Sequence, residues 1–254
     1  MVPPASTLSP TDPATGASDT LVLGEAVVRL LPERAVWLPA ARALLVADVH
    51  LGKAETFRSL GVPVPGGIGE ATLARLDALI RAHRPRQVLV LGDLLHGPAA
   101  QCGSVLEPLA RWRGRHAEVA VALVRGNHDD RAGDPPAECG IALLDEPAWL
   151  AELPDLALAH APSFGGSARM PAAPAAGGPC IAGHLHPVLT LRGRADRARV
   201  HCFWRRGDTL VLPAFGGFTG GFAVAPQPGD ALWITDGARV HRVPARTGTI
   251  EGRG

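Results

Sequence analysis

At 254 residues, with 46% hydrophobic and 19% charged side chains, the chain is long and apolar enough for a sizeable core and is not a disordered segment. A formal net charge of +1 excludes recruitment of nucleic acid by a global positive field, so any grip on a polyanion must be local. Four scattered cysteines (Cys102, Cys139, Cys180, Cys202) with no C-x-x-C pair exclude a disulfide framework or a thiolate zinc site and read as buried thiols of a reducing compartment.

Residues 1–20, rich in Pro, Ser, Thr and Ala, carry no hydrophobic period and read as a disordered tail without the marks of a signal peptide. No stretch approaches the ~18 uninterrupted apolar residues of a membrane span, which points to a cytoplasmic protein with no membrane partner. One domain is expected over 21–245, beginning near "LVLGEAVVRLL", followed by a flexible tail at 246–254. The closing "IEGRG" resembles a protease-recognition linker and stays outside the fold reading. "RALLVADVH" (42–50), "RQVLVLGDLLH" (86–96) and "AEVAVALVRGNHDD" (117–130) read as buried strands with polar ends. Between them, "ATLARLDALIRAH" (71–83) and "VLEPLARWRGRH" (105–116) have helical spacing, the second despite its proline. Alternating strands and helices predict a βαβ arrangement with a largely parallel sheet. From "DLALAHAP" onward, short strands between Gly, Pro and Asp turns predict a second, antiparallel-leaning sheet packed on the first, interrupted by an exposed loop at 167–179.

The strand ends carry the chemistry. "ADVHLGK" places Asp48 and His50 there, "LGDLLHG" Asp93 and His96, and "RGNHDD" Asn127, His128 and Asp129. Later come "LALAHAP" with His160 and "GHLHP" with His184 and His186, which an extended backbone would point to one side. Ligands of an open α/β sheet collect beyond the carboxyl ends of its strands, so these residues are expected to converge. Singly, an Asp-x-His or Gly-Asp after a strand is as well explained as a turn or a cap. Five such segments in one chain, holding six of its ten histidines, are better explained by a metal centre. Seven candidate ligands exceed the needs of one open catalytic ion and suit two, bridged by one carboxylate. Mixed imidazole, carboxylate and amide donors suit manganese, iron or zinc.

The ordered set D-x-H, G-D, G-N-H-D, a single His and G-H-x-H resembles the calcineurin-like metallophosphoesterase pattern over about residues 43–188. The resemblance implies an α/β fold, a four-layer sandwich of two packed mixed β-sheets flanked by helices. It implies two divalent ions, with manganese favoured over iron or zinc, and attack of metal-activated water on phosphorus. By motif position, Asp48, His50, Asp93 and His186 would hold the first ion, and Asp93, Asn127, His160 and His184 the second. His128 would protonate the leaving oxygen or stabilise its developing charge, Asp129 would orient His128, and His96 would contact the phosphate. "ADVHLGKAETFRSLGVPVP" (47–65) and "CFWRRGDTLVLPAFGGFTGG" (202–221) resemble the bacterial ligase-associated DNA damage response branch, implying an endonuclease on DNA that works with a DNA ligase and helicase. Asp130 stands apart from that pattern, adding negative charge where a phosphate should approach.

Lys53, Arg58 and Arg125 are candidate phosphate contacts. Phe215 and Phe218 have the chemistry for stacking on bases but fit better as packing of a glycine-rich strand pair. The same metal set would serve a phosphomonoesterase or a nucleotide pyrophosphohydrolase, and a non-catalytic scaffold is the remaining alternative.

Overall fold

The computed structural model describes residues 18–162, 164, 178–192 and 197–244. The expected tail (apart from 18–20), the loop over 167–177 and the C-terminal tail lie outside the described residues.

The first sheet has seven strands in sequential order: β1 (Asp19–Leu23), β2 (Ala26–Leu31), β3 (Ala35–Leu38), β4 (Ala43–Ala47), β5 (Gln87–Leu91), β6 (Ala120–Val124) and β7 (Ile141–Leu144). From β4 to β7 the pairing is parallel, as the strand–helix alternation predicts. The sheet is nonetheless mixed, because β1 to β3 enter as an antiparallel meander. β1 alternates buried and exposed residues, which fits a strand with one wet face, whereas β4 is buried throughout.

Helices α2 (Ile68–His83) and α3 (Gly103–Arg115) connect the parallel strands. They bury Leu73, Leu76, Leu79 and Ile80, and Val105, Leu109 and Trp112, against Leu44, Val46, Val88, Val90, Val121 and Leu123. Pro108 is tolerated inside α3 because its missing N–H would have bonded the carbonyl of Ser104, which sits exposed in the first turn.

The second sheet contains β8 (Ala148–Leu150), β9 (Leu153–Ala159), β10 (Cys180–Ala182), β11 (Pro187–Arg192), β12 (Arg197–Arg206), β13 (Thr209–Val211) and β14 (Phe222–Ala223), with the hairpin β15 (Ala231–Thr235) and β16 (Val240–Val243) attached to β12. The expected antiparallel bias holds for β11, β12 and β15, but β10 runs parallel to both β9 and β13. That parallel pair sends the chain after β9 and after β10 out at the same end.

Leu89, Leu91 and Val124 of the first sheet interdigitate with Leu156, Leu158, Ile181, Phe203 and Leu210 of the second, making the dry layer between them. A smaller cluster around Trp204, Val211 and Leu232 covers the far face of the second sheet and contains no helical residue among those described. Among the described residues no helix is long and apolar enough to cross a membrane. Three cysteines are buried and Cys102 half-buried, all unpaired, as the sequence predicts.

Candidate metal centre

The loops after β4 and β5 continue side by side beyond the strands. Asp48 N–H donates to Gly92 O, His50 N–H to Asp93 O and Leu51 N–H to Leu94 O, at 3.1, 2.8 and 2.9 Å. To keep this pairing while turning side chains toward one point, the backbone leaves the extended region. Among the described residues eight non-glycines have positive φ, and five are candidate ligands: Asp48 (55°), His50 (51°), Asp93 (54°), His184 (70°) and His186 (47°). Each such residue carries on the order of 1–3 kcal/mol of strain, which the surrounding fold must offset. Asp and His are among the residue types that tolerate this region best.

The second sheet supplies the rest at close range. Gly183 follows β10 and donates its N–H to His160 O. A Cβ there would stand 2.7 Å from Ala47 Cβ and 2.9 Å from Asp48 Oδ2, so only glycine lets the two sheets meet at this point. A Cβ on Gly126 would likewise fall 2.3 Å from Asp93 Oδ1.

Two sets of donors result. In the first, Asp48, His50, Asp93 and His186 have ligand atoms all within 4.8 Å of one another. His186 Nε2 lies 3.1 Å from His50 Nε2 and 3.3 Å from Asp48 Oδ1. Its Nδ1 is 3.2 Å from the Gly220 carbonyl, which can only accept, so the ring proton sits on Nδ1 and Nε2 is the coordinating nitrogen. In the second set, His160 Nε2 lies 3.1 Å from Asn127 Oδ1, 2.9 Å from His184 Nδ1 and 3.6 Å from Asp93 Oδ1. His160 Nδ1 is 3.2 Å from the Leu91 carbonyl, which again leaves Nε2 with the lone pair.

Asp93 lies between the sets. Its Oδ1 faces His160, while Oδ2 lies 3.8 Å from His50 Nε2.

The electrostatics suit a cation. Asp48 and Asp93 are buried, at 0% and 2% exposure. Burial pushes the Asp93 carboxyl up, and the charge of Asp48 pushes it further. Burial also drives the imidazoles of His50 far down and of His184 to about 4, each lowered further by a neighbouring histidine, so these rings stay neutral at physiological pH. Burial would lower His186 too, but its hydrogen bond and attraction to Asp48 outweigh that. Two buried carboxylates converge here with several imidazoles, and buried charges are paired or bind metals. One shared proton cannot serve acceptors that converge from four residues; a divalent ion can. The first donor set therefore fits a divalent metal.

A profile of the calcineurin-like phosphoesterase family matches residues 41–221. The chain belongs to that family. As a metallophosphoesterase it is a hydrolase of phosphate esters with a site for divalent metal. It is similar to a Pseudomonas putida nuclease MPE of known crystal structure at 40% identity, covering 89% of this chain and 100% of that one, with a TM-score of 0.73. A phosphoesterase from E. coli, Yfce, aligns over 79% of this chain and 97% of its own at 16% identity and a TM-score of 0.40. Among curated proteins none matches the chain.

All seven candidate ligands of this metallophosphoesterase come together, but not always as the sequence implies. His184 and His186 do not share one side of an extended strand. Both are left-handed in the turn after β10, and they serve different halves of the site. His184 also donates its backbone N–H to the Asp48 carboxylate.

His128 and His96 stack, with ring centroids 4.7 Å apart. His96 Nδ1 lies 3.2 Å from His50 Nδ1, and burial, followed by the charge of Lys53, lowers its ring to about 4. His128 Nδ1 lies 2.7 Å from the His96 carbonyl, so its Nε2 faces the site, 4.0 Å from Asp93 Oδ2.

The expected role of Asp129 is corrected. It does not touch the His128 ring; its carboxylate accepts the backbone N–H groups of Asp93, Leu95 and Gly126 at 2.7, 3.0 and 3.0 Å. It clasps the loops after β5 and β6 and so positions Asp93. The carbonyl of His96 does the orienting.

Of the expected phosphate contacts, Lys53 is near the centre. Burial lowers its amine, while Asp93 and Asp48 hold it charged. Arg125 is instead committed to a bidentate pair with Asp134, and Arg58 to Glu55 one helical turn away in α1 (Lys53–Ser59). Both pairs are at the exposed surface. Asp130 is exposed.

Phe215 is fully buried in the helical core, while Phe218 is 40% exposed and packs edge-on against Phe57. What the sequence reading missed in "AFGGFTGG" is backbone. Phe215 and Gly216 N–H groups donate to the carbonyls of Ala47 and Asp48 at 2.8 and 3.0 Å, and Gly220 O sets the tautomer of His186. A Cβ on Gly216 would lie 2.5 Å from Val49 O, so the glycines permit this approach.

Proposed function

We propose that the protein is a dinuclear metal phosphodiesterase that cleaves DNA, of the ligase-associated repair branch. The observation that carries the two-metal reading is Asp93, whose two oxygens face two different sets of ligands. Bound there, two dications would activate a water and stabilise charge on the phosphoryl oxygens. Manganese suits the mixed nitrogen and oxygen donors, with iron or zinc as alternatives. Asp48, His50, Asp93 and His186 hold one ion, and Asp93, Asn127, His160 and His184 the other. As an imidazolium whose Nδ1–H is held by the His96 carbonyl, His128 gives its Nε2 proton to the leaving oxygen and is left as the neutral ring. His96, stacked on His128, and Lys53 hold the phosphate.

The DNA substrate is supported by the full-length similarity to the Pseudomonas putida nuclease and by the branch motifs at 47–65 and 202–221. Work beside a DNA ligase and helicase in the cytoplasm follows from the same branch. The test is reconstitution with manganese, iron or zinc, followed by metal analysis and assays on DNA, phosphoserine and a dinucleoside polyphosphate. The expected result is two equivalents of metal, cleavage of DNA, and loss of both in Asp93→Asn. Less than one equivalent would favour a scaffold, and preference for the small substrates would favour a phosphomonoesterase or pyrophosphohydrolase.

A further inference from the structure

A second group of polar side chains lies outside the ligand sets, around the backbone of residues 215–221. Arg34, in the turn before β3, donates to Gly216 O at 3.5 Å. Arg75, from α2, donates to Phe215 O and lies with its guanidinium 4.1 Å from the Phe215 ring centroid. Arg199, from β12, donates to Gly221 O, next to the carbonyl that holds His186. His201, two residues further along the same face of β12, is close enough for Arg34, His186, Arg75 and Arg199 all to act on it. Four basic side chains from three elements thus crowd one edge of the metal centre. Glu33 is the acid that opposes them at Arg75.

Neutral carbonyls do not balance this charge. Arg75 Nε and His201 Nδ1 are also buried with no hydrogen-bond partner among the described residues. Unpaired buried polar atoms are rare in native folds, which makes this edge of the centre unusual. Burial, then the neighbouring Arg34, lowers Arg75 to about 10, and burial, then Arg34, lowers His201 to about 4. An anion with several acceptor oxygens would match the guanidinium forks of Arg34, Arg75 and Arg199 gathered here.

We propose that Arg34, Arg75 and His201, flanked by Arg199, form a subsite for a phosphate of the substrate strand other than the one being cleaved. This rests on the reading of the protein as a nuclease, and it gives a chain of near-zero net charge the local grip on a polyanion that it otherwise lacks.

The test compares two substrates in the manganese-loaded protein. An oligonucleotide reaches the subsite, and bis(p-nitrophenyl) phosphate, with one phosphate, does not. In Arg34→Gln and in His201→Leu, KM for the oligonucleotide should rise about tenfold, the loss of one charge-assisted hydrogen bond. That rise should exceed any change on the small diester severalfold, and Arg34→Lys should recover part of it. Oligonucleotide binding by Arg34→Gln should also have a salt dependence shallower by about one phosphate contact. Equal losses on both substrates would mean these residues only support the metal loops, and would overturn the subsite. So would unchanged KM, even if the wild-type protein bound inorganic phosphate. If the wild-type protein cleaves the small diester but neither binds nor cleaves the oligonucleotide, the nuclease reading fails and takes the subsite with it.

Discussion

Replacing Asp129 by asparagine preserves side-chain size and removes one charge, which separates two roles this residue could have. Its Oδ2 accepts from Asp93 and Gly126 N–H, and its Oδ1 from Leu95 N–H, in a position only 1% exposed. An amide offers one oxygen. With that oxygen in the Oδ2 place, the amide NH2 meets Leu95 N–H, leaving a buried donor unpaired and weakening the other two bonds. An orphaned buried donor costs about 1–3 kcal/mol, and removing the charge adds nothing to that, because burial already penalises the ionised Asp129 carboxyl and raises it to about 6. For a domain of this size the melting temperature should fall by about 5 °C. The assay is thermal unfolding in chelator, so that metal binding does not add to native-state stability. Asn at 129 should also weaken metal retention, because Asp93 is held through its backbone. A melting temperature within about 2 °C of wild type, with activity lost and its pH profile displaced, would refute the clasp and restore the role through His128.

His128→Ala should keep both metals and the fold yet lose about 10²–10⁴-fold on DNA, where the leaving alkoxide needs a proton, and far less on an aryl phosphodiester. Equal losses would make His128 an electrostatic residue, and lost metal would make it a ligand. Gly183→Ala should force apart Ala47, Asp48 and Leu91, whose atoms lie within 3.0 Å of the new Cβ. It should cost about 1–3 kcal/mol, read by denaturant unfolding, and reduce metal content. Asp230 is buried, which alone would raise its carboxyl, but hydrogen bonds from Arg206, Gln227 N–H and Trp204 bring it below the usual 3.8. A depressed folded value means its contribution is complete above pH 3.8 and lost as pH falls through that lower value, so the stability gap between wild type and Asp230→Asn should be wide at pH 7 and close only below pH 3.8.

Residue chemistry was legible without coordinates. Phosphate-ester hydrolysis at a metal site draws on imidazole, carboxylate and amide at strand ends, and those types occur in order at Asp48, His50, Asp93, Asn127, His160, His184 and His186. The buried runs at β4, β5 and β6 and the helical spacing of α2 and α3 were legible for a similar reason, since each side chain's own hydrophobicity carries the signal. What the sequence could not show is which groups meet. His50 and His186 touch across 136 positions, and their partnership depends on β10 lying parallel to β9 and on Gly183 admitting the other sheet. The left-handed backbone at five ligands was hidden because Asp and His do not announce it as glycine does. Asp129, Gly220 and the Phe215–Gly216 amides were missed or misread for a simpler reason. They act on or through backbone N–H and C=O groups, which nearly every residue carries, so only the tertiary structure selects the ones that matter.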